Sequence, residues 1–268
     1  MNLSADQINS FEKWLHKHEK SINTIKTYKS VLKKFNVWLE ENGRNLMDVQ
    51  QQDIQQYMDT LELQGKSATT IDKIYASIRV FAYFLNKPEL VEAIKVKEKE
   101  KNIYQTVPEF LNEEERASLL NEVEEDKDLR NIAIVHMLLY TGIRISELCN
   151  LNVEDLNISG QKGTVTIKAI KDDRERIIPI PQVALLHIRR YVETVKDQQG
   201  PLFMSKQNSR ITIRSVQYML EKYNINPHKL RHTFCRDLIE KGLDISVVAQ
   251  LAGHKDLNIT KRYKNAGA

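Results

Sequence analysis

The chain has 268 residues, of which 41% are hydrophobic and 28% charged, and its formal net charge is +4. This length predicts two domains with separate cores, and the scarcity of glycine and proline favours a helix-rich globular protein. Neither an apolar run of about 18 residues nor a basic-then-apolar amino terminus occurs, which argues against a membrane span and an export signal. The two cysteines, Cys149 and Cys235, lack CxxC spacing and predict buried, reduced thiols in a cytoplasmic protein.

Residues 1–86 predict a domain of four helices. A capping-box pattern opens a first helix over about 4–17. A second helix is predicted over 22–41, where apolar residues recur every three or four positions, and a third over about 50–63. Ser67 is a suitable N-cap for the fourth helix, which has the same apolar period.

The second and fourth helices carry polar side chains opposite their apolar faces. Lysines one turn apart on the second helix, and short polar groups on the fourth, suit the phosphates and base edges of a nucleic acid. An ordinary solvated helix surface is the alternative, because amphipathic helices are common. The candidate contact residues are Lys26, Lys29, Lys33, Thr69, Thr70, Lys73 and Ser77.

A linker is predicted over 87–110 and a second domain over 111–268. The sequence Asn-Lys-Pro at 86–88 breaks the fourth helix, and the charge run at 95–101 offers no apolar face to bury. The same charged segment would also fit an extension of the fourth helix. A capping pattern that begins at Asn112 then opens the second domain.

The charge is distributed unevenly along the chain. Residues 102–130 carry three basic and nine acidic side chains, a balance of −6, whereas residues 131–268 carry 21 basic and 13 acidic ones, a balance of +8. A phosphate-binding surface needs such a basic region, although a modestly basic solvated surface has the same composition.

The second domain predicts mainly helices, with one β-hairpin. A helix over about 128–140 ends before Gly142, and another begins at Arg144. Two β-branched segments, 164–168 and 176–180, flank an Asp-Asp turn and predict the hairpin. Further helices are predicted near 182–197, 212–223, 229–241 and 244–252, the last with Asp244 as its N-cap and Gly253 as its end. A short final helix is predicted around Tyr263.

Short motifs in this domain hold residues that suit phosphate chemistry. Arg144 lies in Thr-Gly-Ile-Arg-Ile-Ser-Glu-Leu, and His228 and Arg231 lie in His-Lys-Leu-Arg-His. His254 lies in Leu-Ala-Gly-His, and Tyr263 follows nine residues later. Guanidinium groups bind phosphate oxygens bidentately, and histidine donates to the same oxygens or transfers a proton. A tyrosine hydroxyl, with an ordinary pKa of about 10, becomes a nucleophile when cations surround it.

Each motif alone also has a structural explanation. The two arginines could pair with Glu147 or Asp237, and the first histidine of His-Lys-Leu-Arg-His could simply lie at a helix start. His254 could satisfy a backbone carbonyl, and a lone tyrosine near the end of a chain is usually a packing or surface residue. We interpret His136 and His232 as packing residues. The joint order of the motifs, with their local spacings, favours one common site.

The joint pattern resembles the tyrosine recombinase (integrase) family over nearly the whole chain. The resemblance implies that two arginines and two histidines stabilise a phosphate, that the tyrosine forms a 3′-phosphotyrosyl bond, and that a hairpin lysine protonates the leaving 5′-oxygen. Lys171, eight residues before Pro179, is the best match to that lysine, and because this assignment rests on the count, Lys168 and Arg174 are alternatives. An aspartate follows Lys171 where the family often has glycine. The implied catalytic residues are Arg144, Lys171, His228, Arg231, His254 and Tyr263.

The resemblance also implies a mostly α fold with a small β-hairpin or sheet. A helical, SAM-like core-binding domain would precede a mixed α/β catalytic domain. The implied function is a site-specific recombinase that exchanges strands in pairs through a Holliday junction. Its implied partners are double-stranded DNA recombination sites and further copies of itself, in a tetrameric synapse. The sequence contains no GxxxxGK[ST] loop, no HExxH and no acidic cluster suited to Mg²⁺, so we expect neither a cofactor nor a catalytic metal.

Two other functions fit parts of the pattern. A catalytically inert DNA-binding protein is one alternative, and strand relaxation like that of a type IB topoisomerase is the other. The intact catalytic set argues against the first, and the small helical amino-terminal domain argues against the second. The compact size, without an extra arm-binding domain, favours a Xer-like or transposon-encoded member.

Overall fold

The computed structural model describes residues 3–96, 108–169, 175–195 and 199–263. Its contacts divide the chain into two units, Met1–Ile103 and Tyr104–Ala268. In the described ranges, no helix is both long and apolar enough to cross a membrane. Both cysteines are buried and unpaired, as predicted.

The described part of the first unit contains the four predicted helices. Ser21 and Ser67 begin the second and fourth helices by accepting hydrogen bonds from the backbone N–H groups of Thr24 (3.1 Å) and Thr70 (3.3 Å). The helices are α1 (Leu3–Lys17), α2 (Ile22–Glu41), α3 (Gln51–Leu63) and α4 (Ala68–Phe84).

Aromatic side chains fill the core of this unit. Phe11 and Phe81 meet edge to face with ring centroids 5.3 Å apart, and Phe35 lies 4.8 Å from Tyr57. Val91, which belongs to the predicted linker, is buried in the same core. The first residues of the predicted linker therefore pack with this unit. The domain limits 1–86 and 111–268 stay a prediction.

The second unit combines helices with a small sheet, which confirms the predicted fold class. Helix α6 lies at its centre, and nine of its 13 residues are buried. The elements are α5 (Glu113–Glu125), α6 (Leu129–Thr141), α7 (Ile145–Asn150), β1 (Leu156–Ser159), β2 (Lys162–Ile167), β3 (Arg176–Ile180), α8 (Gln182–Val195), α9 (Ile213–Glu221), α10 (Pro227–Glu240), α11 (Ile245–Ala252) and α12 (Leu257–Lys261).

The sheet has three antiparallel strands in the order β1-β2-β3. Strands β2 and β3 form the predicted hairpin, in a register that places Val165 opposite Ile178. Strand β1 was not predicted, because its four residues are too few for a clear alternation. Tyr263 also differs from the prediction: it lies in a turn after α12, which ends at Lys261, rather than on a final helix.

Candidate active site

The Arg144 motif forms a tight connection between α6 and α7. Helix α6 ends at Thr141, and Gly142 caps it with a left-handed φ of 61°. A Cβ atom at Gly142 would lie 2.1 Å from Cδ1 of Phe234, so both the conformation and the space require glycine. The backbone N–H of Arg144 then donates to Oε2 of Glu147 over 2.7 Å and begins α7.

Glu147 lies between two guanidinium groups. Nη1 of Arg144 donates to its Oε1 over 2.8 Å, and Nη2 of Arg176 donates to its Oε2 over 2.7 Å. Burial acts to raise the pKa of the Glu147 carboxyl. The hydrogen bonds from the Arg176 side chain and the Arg144 backbone outweigh that effect, so the pKa lies below its ordinary value. The carboxylate therefore stays charged and holds Arg144 in position.

Arg176 is a site residue that the motifs do not single out. It is buried at the start of β3, and its Nε donates to the carbonyl oxygen of Leu251 over 2.9 Å. Nη2 of Arg144 donates to the carbonyl oxygen of Gly253, and a Cβ atom at Gly253 would lie 2.8 Å from Cζ of Arg176. The residue before His254 is therefore glycine because two guanidinium groups approach its backbone. Arg176 takes an inward position in the alternating burial of β3, but the sequence Arg-Ile-Ile-Pro-Ile has no polar alternation that would have indicated it.

Arg231, on α10, contacts the Gly142 turn that precedes Arg144. Its side chain is buried, and its Nη1 donates to the carbonyl oxygen of Gly142 over 2.5 Å. Burial lowers the pKa of Arg231, and the positive charge of Arg144 lowers it further. The alternative partner, Asp237, instead accepts a hydrogen bond from Nη2 of Arg116 over 2.6 Å. A bound phosphate would stabilise these two neighbouring positive charges.

His254 lies at the end of α11, next to the two arginines. Its Nδ1 is 2.8 Å from Oγ1 of Thr260, a partner that the motifs do not indicate. Burial lowers the pKa of His254 to about 4, and the charges of Arg231 and Arg144 contribute to this shift. The imidazole is therefore neutral at pH 7 and keeps both a donor and an acceptor nitrogen.

Tyr263 lies in a closed apolar pocket. Its side chain is only 2% exposed and packs with Phe234, Cys235, Val248 and Ala252. Its ring stacks on His254, with centroids 6.3 Å apart and planes within 8°. Burial and the neighbouring Cys235 raise the pKa of the phenol, whereas Arg231 acts to lower it. The structure thus brings the tyrosine beside His254 and Arg231, but with its hydroxyl shielded from solvent.

His228 is exposed on the first turn of α10. Its ring centroid lies 6.3 Å from that of His232, which in turn lies 5.6 Å from the ring of Tyr263. Nδ1 of His232 is 3.1 Å from the carbonyl oxygen of Glu109. His232 is thus a half-buried neighbour of the tyrosine, and His228 extends the site to the surface.

Of the three candidates for the hairpin lysine, the structure describes Lys168 alone. Lys171 and Arg174 lie outside the described residues. Lys168 lies one residue beyond β2, and its Nζ is 2.7 Å from Oδ1 of Asp155 and 3.2 Å from Oε1 of Glu154. Lys168 therefore forms ion pairs with these two carboxylates.

The candidate DNA-contact residues of the first unit are mostly on its surface. One placement was wrong: Ser77 is fully buried, and its hydroxyl donates to the carbonyl oxygen of Lys73 over 2.9 Å. The side chain of Lys29 is half-buried and pairs with Glu12. The exposed candidates are Lys26, Lys33, Thr69, Thr70 and Lys73.

Two family models match the chain. One, described as the phage integrase family, covers residues 109–268, and the other, described as the phage integrase N-terminal SAM-like domain, covers residues 6–88. The chain belongs to the phage integrase family. It is 31% identical to tyrosine recombinase XerA of Pyrococcus furiosus, over 99% of this chain and 91% of that relative. It is 32% identical to tyrosine recombinase XerC of Staphylococcus carnosus, over 94% of this chain and 88% of that relative.

Solved structures of the same fold include integrase and recombinase complexes with DNA. The Tn1549 transposon integrase with transposon right end DNA has a TM-score of 0.74 at 19% identity, over 96% of this chain and 94% of that one. The XerH recombinase bound to its difH substrate has a TM-score of 0.73 at 20% identity, over 97% and 82%. The expected family is therefore confirmed, and this tyrosine recombinase is a DNA breaking and rejoining enzyme.

Proposed function

We propose that this recombinase cleaves DNA at specific sites through a 3′-phosphotyrosyl bond to Tyr263 and exchanges strands in pairs through a Holliday junction. One observation carries this proposal above the others. Arg144, Arg231 and His254 converge on the Gly142 and Gly253 turns, with Tyr263 stacked on the histidine.

The scissile phosphate would bind to Arg144 and Arg231. Both guanidinium groups donate to carbonyl oxygens of glycine turns, which sets their positions before DNA arrives. Negative charge increases on the phosphate oxygens as the phosphorus is attacked, and positioned donors stabilise it with little reorganisation. Neutral His254 supplies a further N–H, and His228 offers one from the surface side.

Cleavage follows when the Tyr263 oxygen attacks the phosphorus. The new bond joins the phenolic oxygen to the 3′-phosphate, and the bond from phosphorus to the 5′-oxygen breaks. One of the two histidines accepts the phenolic proton, and Lys171 protonates the leaving oxygen. Because the covalent link conserves the energy of the phosphodiester, a 5′-hydroxyl of the partner duplex can attack it and rejoin the strands.

Tyr263 has to leave its apolar pocket before it reacts. Its 2% exposure and raised pKa describe a resting state in which the phenol is neutral and inaccessible to DNA. Tyr263 lies in the turn that follows α12, and we expect this turn to move when the site binds DNA. Arg231 would then face the phenol across the bound phosphate and favour its ionised form.

The partners of this reaction are double-stranded DNA sites and further copies of the enzyme in a tetrameric synapse. Solved structures of the same fold include XerH bound to its difH substrate and the Tn1549 transposon integrase with transposon right end DNA, which supports a DNA substrate here. The buried, unpaired thiols of Cys149 and Cys235 suit a reducing cytoplasmic compartment, where the substrate DNA is found.

Covalent trapping on DNA tests the proposal. The enzyme is incubated with nicked duplexes from the DNA that flanks its gene, so that the cleaved strand cannot be rejoined. Wild-type enzyme should give SDS-stable protein–DNA complexes, and Tyr263→Phe should give none. Tyr218→Phe is the matched control, because Tyr218 is 76% exposed on α9 and belongs to none of these motifs. Complexes that persist in Tyr263→Phe would refute the assignment of the nucleophile.

The same substrates distinguish the two alternatives. An inert DNA-binding protein would shift the mobility of the duplex without leaving protein on denatured DNA. A relaxing enzyme would change the supercoiling of a plasmid without joining strands of two differently labelled duplexes. We expect labelled recombinant strands, which appear only when the cleaved end is rejoined to a second duplex.

A further inference from the structure

Three potential metal ligands meet on the second unit, among residues that the recombination motifs do not use. Glu124 lies on α5, His136 on α6 and His187 on α8. One ligand atom from each side chain lies within 4.8 Å of the other two. Glu124 is exposed, His187 is half-buried and His136 is buried, so the cluster extends from the surface into the core.

His136 has an unusual environment for a core histidine. It is only 1% exposed, and neither Nδ1 nor Nε2 has a hydrogen-bond partner among the residues that the structure describes. A buried polar group normally has at least one partner, because leaving it without one costs about 1–3 kcal/mol. A neutral imidazole keeps a free lone pair, the form in which histidine binds metals.

The separations within the cluster fit a small divalent ion. Oε1 of Glu124 lies 3.9 Å from Nε2 of His136 and 3.6 Å from Nε2 of His187. Bonds of about 2.1 Å in a tetrahedral zinc site place ligand atoms about 3.4 Å apart, so both separations need to contract only slightly. The two imidazole rings stack with centroids 4.0 Å apart and planes at 17°. Because an imidazole lone pair lies in the plane of its ring, binding one ion requires the half-buried His187 ring to rotate out of this stack.

We propose that Glu124, His136 and His187 bind one zinc-class divalent ion, with water as the fourth ligand. Two imidazoles and one carboxylate are a ligand set that zinc and its neighbours in the first transition series accept, whereas Ca²⁺ and Mg²⁺ prefer oxygen ligands alone. The exposed carboxylate of Glu124 gives the ion a path from solvent.

The ion has a structural function in this proposal, separate from the chemistry at Tyr263. It connects α5 and α8 to the central helix α6, which leads directly into Gly142 and Arg144. Binding to the folded state alone stabilises that state by mass action. The proposal does not rest on the proposed recombination reaction, and the expected absence of a catalytic metal is unaffected.

Cobalt substitution tests the site directly. Tag-free, chelator-treated enzyme is titrated with Co²⁺, which absorbs visible light much more strongly in four-coordinate protein sites than in water. We expect one equivalent to bind to the wild type, and Zn²⁺ to displace it. His187→Ala should lose the visible absorption of bound Co²⁺, and Glu124→Gln should weaken Co²⁺ binding by at least tenfold. Both positions lie at the surface side of the cluster, so the core histidine stays intact.

Two control variants locate the ion. His16→Ala removes an exposed histidine of α1 and should bind like the wild type. His228→Ala removes an exposed histidine of the candidate active site and should also bind normally. Binding that is lost in His228→Ala, or unchanged in His187→Ala, would overturn the proposal, as would a wild type that binds no cobalt.

Thermal unfolding gives a second readout. Added Zn²⁺ should raise the melting temperature of the wild type and of His16→Ala, and leave that of His187→Ala unchanged. Covalent trapping of DNA in excess chelator is measured in parallel. Trapping that continues without metal, together with a zinc-dependent melting temperature, would separate the structural ion from the recombination chemistry.

Discussion

Replacing Glu147 with glutamine removes the carboxylate that two arginines share, while the size of the side chain stays the same. The side chains of Glu147 and Arg176 are only 7% and 8% exposed, so Arg176 would keep a buried charge without its partner. Removing one partner of a buried ion pair costs about 3–5 kcal/mol. Arg144 adds little, because its side chain is 36% exposed and water screens it. The amide oxygen of glutamine still accepts a hydrogen bond, so we expect a loss of about 3 kcal/mol in the free energy of unfolding.

Urea unfolding measures this loss against a matched control, Glu154→Gln. Glu154 also pairs with a cation, Lys168, but its side chain is 62% exposed, and its replacement should cost less than about 1 kcal/mol. Both tryptophans, Trp14 and Trp38, lie in the first unit, so tryptophan emission follows that unit alone. The variant should shift the circular dichroism transition while the emission transition stays in place. A loss no larger than that of the control would refute the assigned role of Glu147.

The same carboxylate gives a pH dependence with a defined sign. The pKa of Glu147 in the folded state lies below the unfolded value of about 4.3. Its contribution is therefore fully present above that unfolded value and is lost as the pH falls through the folded pKa. The stabilities of the wild type and Glu147→Gln should converge in acid. An equal difference at about pH 7 and about pH 3 would contradict the linkage.

Three further variants test other parts of the site. Lys171→Ala should slow cleavage by about 10²- to 10⁴-fold. A substrate with sulfur at the 5′-bridging position should restore the rate, since a thiolate leaves without a proton. If the sulfur substrate rescues Lys168→Ala and not Lys171→Ala, the general acid is Lys168. Arg231→Lys should lower the cleavage rate by about 100- to 1,000-fold while mobility-shift binding persists, and near-normal cleavage would exclude it as a phosphate donor. Gly142→Ala should lower the melting temperature far more than Gly43→Ala, because both have left-handed φ values (61° and 69°) but only Gly142 has Phe234 within 4 Å; equal shifts would mean that the contact with Phe234 is unimportant.

Local signals in the sequence predicted much of this fold. Ser67 and Asp244 were suitable N-caps, and each accepts the expected backbone hydrogen bond at the start of its helix. Gly142 and Gly253 marked helix ends, and both adopt the left-handed conformation that closes a helix. These features depend on residues within a few positions of one another, which is why the sequence alone indicates them.

The features that escaped prediction depend on contacts between distant segments. Ser77 looked exposed by helical periodicity, but the packing of α4 against the other helices of its unit buries it. Its hydroxyl then donates to the carbonyl oxygen of Lys73 within the same helix. Arg176 is far in sequence from Glu147 and Leu251, and only the folded sheet brings them together. For the same reason the order of the motifs indicated one site, while the enclosure of Tyr263 was visible only in three dimensions.

The burial of Tyr263 has a consequence for cleavage at incorrect DNA sites. The side chain of Tyr263, the proposed nucleophile, is only 2% exposed, so a protomer that meets random duplex DNA would present its cationic groups without the phenol. Collisions with the wrong sequence should therefore end in dissociation, without a nick. The free energy that exposes the phenol has to come from contacts made at the correct site or with neighbouring protomers, and so fidelity would be set before any bond breaks.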